Sequence, residues 1–132
     1  MGFGRIGVLE EPMVFGAFAR VVKERLNLSF IKIAGDMDRP VNKVAVCGGS
    51  GSGLVKKFLS SEAQIFISGD LRYHDARTVE EAGKGLVDLG HFASEHLIVG
   101  MLAERLRKIL YDRGINIKVE PCGLEAEPFR II

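Results

Sequence analysis

Short apolar runs alternate with helix-like segments in the second part of the chain, and this alternation constrains the fold more than any other feature. The apolar runs predict buried strands at residues 41–47, 63–68 and 85–89. The segments that follow the first two of these runs are interpreted as helices at about residues 54–60 and 74–84. A helix between two strands returns the chain to the same end of the sheet, which favours parallel pairing. We therefore expect an α/β fold, a three-layer α/β/α sandwich with a mixed, mostly parallel sheet.

The remaining segments add elements on either side of this region. They predict an edge strand within residues 1–9, a helix over 13–26 with Pro12 in its first turn, a strand over 28–34, a long helix over 93–113 and a last strand over 115–119. At 132 residues the chain is long enough to bury a core. We interpret residues 1–132 as a single domain.

Charge and hydropathy exclude several classes of partner. The net charge is +1 and no block of arginine or lysine interrupts the sequence, so we expect no nucleic-acid partner. No apolar run approaches the length of a membrane span, and we expect no membrane contact. Cys47 and Cys122 do not have the spacing of metal ligands. We expect a cytoplasmic protein with free thiols, while the sequence alone leaves a disulfide open.

A glycine-rich loop at residues 48–53, Gly-Gly-Ser-Gly-Ser-Gly, connects a predicted strand to a predicted helix. Bare backbone amides in such a loop can hold a phosphate or a carboxylate. The loop lacks the lysine of a Walker motif and the spacing of a dinucleotide-binding fingerprint. A tight turn between strand and helix explains the glycines equally well, and both interpretations stay open at this point.

Two polar stretches, residues 69–75 and 90–95, each follow a predicted buried strand and open a helix. In parallel sheets, ligands bind beyond the carboxyl ends of the strands. The two stretches and the glycine-rich loop should therefore share one edge of the sheet. This edge carries two imidazoles and three carboxylates, and it is the candidate functional site.

His91 and Glu95 are four residues apart, so a helix that starts at or before His91 places both side chains on one face. An imidazole and a carboxylate at this spacing can share a divalent metal ion. From spacing alone, an ordinary ion pair at a helix N-terminus is the simpler explanation, because two ligands do not define a site.

The first polar stretch offers further groups. Asp70 and Asp75 can each cap a helix or accept a hydrogen bond from an imidazole. His74 lies at the start of the predicted helix, and Tyr73 can donate a hydrogen bond to a ligand or simply pack. No arrangement of serine or cysteine with a nearby base supports nucleophilic catalysis.

At these residues the sequence resembles a known family. The stretches Gly-Asp-Leu-Arg-Tyr-His-Asp-Ala (69–76) and Asp-Leu-Gly-His-Phe-Ala-Ser-Glu (88–95) resemble the C-terminal part of the Nif-three-like family, also called GTP cyclohydrolase type two-like. The segments at 2–7, 43–51 and 127–129 resemble it too. The resemblance implies two related α/β lobes with a dinuclear metal centre in the cleft between them, and subunits that assemble into toroidal hexamers.

The same resemblance implies roles for individual residues. His91 and Glu95 would ligate zinc, iron or manganese, while His74, Tyr73 and Asp75 would lie near the site and contact a small-molecule or nucleotide-like substrate. The family's other metal ligands, a His-His pair and an aspartate, belong to the N-terminal lobe, and this sequence has no adjacent histidines. The chain therefore looks like a C-terminal lobe with an incomplete metal site.

Two functions are compatible with this interpretation. The chain can be part of a metal-dependent hydrolase that a separate N-terminal lobe completes. Alternatively, it can be a non-catalytic binding or scaffolding module that acts through homo-oligomer or partner-lobe contacts. We also expect an exposed apolar surface where the other lobe would pack, and hence an oligomer.

Overall fold

The computed structural model describes residues 3–130, so Met1 and Gly2 of the predicted edge strand, and Ile131 and Ile132, lie outside the described residues. The elements in chain order are β1 (Arg5–Val14), α1 (Phe15–Arg25), β2 (Lys32–Ala34), β3 (Pro40–Ser50), α2 (Val55–Leu59), β4 (Ile65–Gly69), α3 (Tyr73–Glu81), β5 (Gly85–Asp88), α4 (His91–Glu95) and α5 (Leu97–Asp112). A 3-10 helix, Ser52–Leu54, leads into α2. The chain divides into two compact units, Met1–Ser94 and Glu95–Ile132, and its interpretation as a single domain stays a prediction.

The first unit is built on a five-stranded mixed sheet in the order β1-β3-β4-β5-β2. The three central strands run parallel, whereas the edge strands β1 and β2 are antiparallel to their neighbours. Every residue of β4 and β5 is buried, as expected for parallel strands that are covered on both faces. The α/β fold predicted from the alternation of strands and helices is confirmed, with the parallel strands at the centre of the sheet.

Consecutive residues of a strand point to opposite faces of the sheet, so each strand contributes apolar side chains to both faces. Helices pack on both of these faces. On one face, α1 packs on the strands in a cluster of Phe15, Phe18, Ala19, Val41, Val44, Ile65, Ile67 and Val87. On the other face, α2 and α3 pack in a cluster of Ala45, Val55, Phe58, Ala63, Phe66, Val79 and Leu86. The first unit is therefore the expected three-layer α/β/α sandwich.

The prediction that Pro12 begins a helix is wrong. Pro12 lies within β1, and α1 begins three residues later, at Phe15. The register of β1 against β3 shifts between Val8 and Met13, so the proline occupies an irregular part of an edge strand. A missing backbone N–H is tolerated there because no neighbouring strand requires it. The predicted strand over 28–34 is also shortened to β2, which pairs with the four-residue β5.

The predictions for the C-terminal segment need two corrections. The long helix predicted over 93–113 is divided into α4 and α5 by a turn at His96, and α4 begins earlier, at His91. Residues 115–119 form no strand, although their apolar residues alternate. A strand needs a partner for its backbone groups, whereas the carbonyl of Val119 accepts a hydrogen bond from the Arg107 side chain at 2.8 Å.

In the second unit, α5 carries an apolar stripe that is exposed to solvent. The stripe, called the α5 stripe below, comprises Leu97, Ile98, Met101, Leu102, Leu106 and Ile109, all exposed. Across the part of the chain that the structure covers, no helix has the length and apolar character needed to cross a membrane. The α5 stripe is thus an exposed apolar surface of the kind that the sequence led us to expect.

Candidate functional site

The candidate site is built from two turns that follow β4 and β5 and touch each other through their backbones. A Cβ atom added at Gly69 would lie 2.6 Å from the carbonyl oxygen of Gly90 and 2.9 Å from the amide nitrogen of His91. The amide of Leu89 also donates to the carbonyl of Ser68 at 2.9 Å. The turns of the two polar stretches therefore meet at the carboxyl ends of parallel strands, as the order of the elements predicts.

A carboxylate and an imidazole face each other across these two turns. The Oδ2 atom of Asp70 lies 2.5 Å from Nδ1 of His91, and each side chain is 50% exposed. A carboxylate on one ring nitrogen fixes the orientation of a metal-binding histidine and raises the basicity of its other nitrogen. With Asp70 on Nδ1, a metal would bind this ring through Nε2. The pair is compatible with a metal-binding imidazole, and the assignment of His91 as a ligand stays a prediction.

A buried aspartate shapes the turn that precedes His91. Oδ1 of Asp88 accepts a hydrogen bond from the amide of Gly90 at 2.9 Å, and Oδ2 pairs with the ammonium of Lys32 at 2.7 Å. Gly90 has φ +81°, a conformation that favours glycine. Sequence reasoning gave Asp88 no role, although an aspartate two residues before a glycine is typical of an Asx-turn.

The predicted loop at residues 48–53 is only partly a loop, because β3 extends through Ser50. This glycine-rich segment, still called the glycine-rich loop, contacts both turns. The amide of Gly51 donates to the carbonyl of Gly69 at 3.1 Å, and the Ser52 hydroxyl donates to the carbonyl of Asp70 at 2.9 Å. The amide of Gly49 donates to the Ser94 hydroxyl oxygen at 2.9 Å. These amides bind protein acceptors instead of pointing at a ligand, which favours the tight-turn interpretation over the anion cradle. Sequence reasoning missed Ser52 and Ser94, because their partners are distant in the chain.

Asp75 lies at the start of α3, where it caps the helix. Its carboxylate accepts hydrogen bonds from the amide of Arg72 at 3.0 Å and from the Arg72 guanidinium at 3.1 Å. Burial raises the pKa of Asp75, but hydrogen bonds from Arg72 and Ser52 outweigh burial, so the net pKa lies below its usual value. The structure thus gives Asp75 the capping geometry that was one of its two alternatives.

We expect Asp75→Asn to lower the free energy of unfolding at neutral pH by about 1 kcal/mol, the typical value of a helix cap. Since the folded state lowers the pKa of Asp75, its stabilisation is present above the unfolded value of about 3.9. This stabilisation is lost as the pH falls through the folded pKa. Urea denaturation at neutral and acidic pH should therefore show a difference that shrinks in acid. Glu81→Gln, an exposed charge change on the same helix, should show little effect at either pH.

The other predicted site residues lie nearby in the chain. Tyr73 and His74 open α3, are exposed to solvent, and pack edge-on with ring centroids 5.5 Å apart. Glu95 is the last residue of α4, so both predicted metal ligands belong to one helix. Between residues 3 and 130, no group of three or more histidine, cysteine, aspartate or glutamate side chains is arranged to hold a metal ion. The roles of Tyr73, His74 and Glu95 stay predictions.

Comparison with known proteins finds one matching family model and several relatives that are longer than this chain. Residues 1–128 match the family model of Duf34/NIF3 (NGG1p interacting factor 3). A Staphylococcus epidermidis protein named GTP cyclohydrolase 1 type 2 homolog is 32% identical over 129 residues, which cover 98% of this chain and 35% of the relative. The chain therefore spans about a third of the length of the curated relatives it matches.

Solved structures show the same fold. The Staphylococcus aureus protein SA1388 superposes with a TM-score of 0.92 at 27% identity, covering 99% of this chain and 42% of that one. A Bacillus cereus protein related to NIF3 superposes with a TM-score of 0.91 at 30% identity, covering 99% of this chain and 36% of that one. The fold inferred from the sequence is thus found in longer proteins.

Proposed function

This chain belongs to the Duf34/NIF3 family, and we propose that it is the C-terminal lobe of a metal-dependent hydrolase. His91 and Glu95 would ligate one ion of a dinuclear centre of zinc, iron or manganese. The observation that carries the proposal is the contact of Asp70 with Nδ1 of His91, because this is how proteins orient a metal-binding imidazole. A bound ion would supply a polarised water as the nucleophile.

The remaining residues of the site bind and orient the substrate in this proposal. Tyr73 and His74 are exposed at the start of α3, where the phenol and imidazole can donate or accept hydrogen bonds from a small-molecule or nucleotide-like substrate. Asp75 acts indirectly, because its contacts with Arg72 fix the first turn of the helix that carries both rings. The naming of relatives as GTP cyclohydrolase 1 type 2 homologs is compatible with a nucleotide-like substrate.

The chain supplies only part of the metal site in this proposal. Two ligands are fewer than the three or four that protein metal sites use, and the described residues hold no larger cluster of ligands. An N-terminal lobe with two adjacent histidines would complete the site. The free thiols of Cys47 and Cys122 fit a cytoplasmic location, where such lobes would meet in a reducing environment.

We expect His91→Ala to abolish metal uptake by this chain when it is mixed with an N-terminal lobe from a relative. The measurement is metal content after equilibration with Zn²⁺, Mn²⁺ or Fe²⁺ and gel filtration. His74→Ala is the matched control, because it removes an imidazole that we place on the substrate and should leave metal content unchanged. If His91→Ala retains the metal, its assignment as a ligand is wrong.

Two further outcomes test the proposal as a whole. One tightly bound ion per chain in the absence of any other lobe would contradict an incomplete site. No metal in the presence of the N-terminal lobe would contradict the hydrolase. That second outcome would favour a binding or scaffolding module, the alternative function that the exposed α5 stripe supports. In this alternative the chain acts through contacts with copies of itself or with a partner lobe.

A further inference from the structure

The contact between Asp70 and His91 depends on an unusual backbone conformation. Asp70 has φ +51°, in the left-handed region that non-glycine residues seldom adopt. Aspartate and asparagine tolerate this region better than other residues, but the conformation is still unfavourable and persists only where its surroundings hold it. Contacts with neighbouring residues should therefore hold the backbone of Asp70 in this unfavourable conformation.

The glycine-rich loop supplies such contacts on the Asp70 side. Ser52 donates its hydroxyl proton to the Asp70 carbonyl at 2.9 Å, and the Gly51 amide donates to the preceding carbonyl, that of Gly69, at 3.1 Å. Two successive carbonyls of the turn are therefore fixed by one loop. The loop can come this close because Gly51 has no side chain: a Cβ atom there would lie 2.0 Å from the hydroxyl oxygen of Ser68.

The same loop also fixes the His91 side. The Ser94 hydroxyl donates to the carbonyl of His91 at 2.9 Å, and its oxygen accepts a hydrogen bond from the Gly49 amide at 2.9 Å. The first turn of α4 is thereby tied to the loop through Ser94. Both members of the Asp70–His91 pair are held by neighbouring residues of a single glycine-rich segment, for which anion binding had been an open interpretation.

We propose that Asp70 is a positioning residue that holds His91 as the Nδ1–H tautomer. In this proposal, the hydrogen bonds from the glycine-rich loop hold Asp70 in the conformation that reaches His91. A neutral imidazole carries its proton on one nitrogen and a lone pair on the other. A carboxylate on Nδ1 keeps the proton there and directs the lone pair of Nε2 toward a ligand. The inference about the tautomer rests on the contact between Asp70 and Nδ1, whereas its use in binding metal rests on the proposed function.

The tautomer can be measured without any metal. Long-range ¹H–¹⁵N NMR spectra of the whole chain, recorded about two pH units above the ordinary imidazole pKa, distinguish Nδ1–H from Nε2–H for each neutral histidine. We expect His91 to be the Nδ1–H tautomer in the wild-type chain. Asp70→Gly, which removes the carboxylate and also relieves the left-handed backbone, should shift His91 to Nε2–H while the protein stays folded. His74 and His96 serve as internal controls and should not change.

Asp70→Asn provides the matched rescue, because its amide oxygen can accept the same hydrogen bond and asparagine tolerates a left-handed backbone. It should keep the Nδ1–H tautomer. In parallel, a Zn²⁺ titration of the same chains should show an affinity that is about 10- to 100-fold lower for Asp70→Gly, the usual cost of losing such a partner.

The outcomes separate this inference from the proposed function. An Nε2–H tautomer in the wild type, or no change in Asp70→Gly, would overturn the inference whatever the metal result. A tautomer shift with unchanged zinc affinity would overturn the positioning role. A tautomer that follows Asp70 as expected, in a protein that binds no zinc even with an N-terminal lobe, would support the positioning and contradict only the hydrolase.

Discussion

Gly69→Ala is expected to lower the free energy of unfolding by about 3 kcal/mol, at the upper end of the range for overpacking. A Cβ atom at this position would lie 2.6 Å from the carbonyl oxygen of Gly90, 2.8 Å from its carbonyl carbon and 2.9 Å from the amide nitrogen of His91. All three are backbone atoms, so no side-chain rotation relieves the overlap. The turns after β4 and β5 must move apart, which also separates Asp70 from His91. Urea denaturation measures the loss of stability.

Gly53→Ala is the control for this substitution, because a Cβ atom at Gly53 meets no atom within 4 Å. This change should be neutral, or stabilising by about 0.4–1 kcal/mol through the reduced entropy of the unfolded chain. The Nδ1–H tautomer of His91 should persist in Gly53→Ala and be lost in Gly69→Ala. Equal stability of the two variants would show that the two turns are not in the close contact described above.

The central part of the fold could be predicted because its pattern is local. Continuous apolar runs at β4 and β5 indicate strands that are buried on both faces. The helix that connects these two strands predicts that they run parallel, as they do. The elements that were predicted wrongly depend on partners elsewhere in the fold. Pro12 fits a helix start locally, but pairing of β1 with β3 extends the strand past it. The alternating residues 115–119 have the pattern of a strand without a neighbouring strand to bind.

In the candidate site, too, some features could be predicted from local sequence and others depend on contacts with distant residues. The order of strands and turns places His91 and Asp70 at one edge, since both follow parallel strands directly. The sequence cannot state that Oδ2 of Asp70 reaches Nδ1 of His91, because this depends on a left-handed backbone at Asp70 and on contacts from a loop 18 residues earlier. Likewise, Asp75 could be a cap or an imidazole partner in sequence, and only the approach of Arg72 favours the cap.

Self-association through the α5 stripe is a prediction, and replacing Ile98 and Met101 with lysine is expected to convert such an oligomer into monomers. These side chains of the α5 stripe are 60% and 65% exposed, so each can still bury apolar area in a contact with another copy. Burying such a side chain contributes about 1.5–3 kcal/mol, whereas a lysine would have to be desolvated. We expect the dissociation constant of the oligomer to rise at least about 100-fold, equivalent to about 2.8 kcal/mol. Light scattering coupled to size-exclusion chromatography measures the change.

The double lysine variant should keep its fold, because neither side chain belongs to the buried clusters of the first unit. Its helical circular dichroism should therefore match the wild type. Glu104→Lys is the control, since it changes the charge of α5 by the same two units at an exposed position and leaves every apolar side chain of the α5 stripe in place. If this control also dissociates the oligomer, charge repulsion and not apolar burial explains the effect. A wild-type chain that is monomeric at all concentrations would contradict self-association through the α5 stripe, which then remains available only to a different lobe.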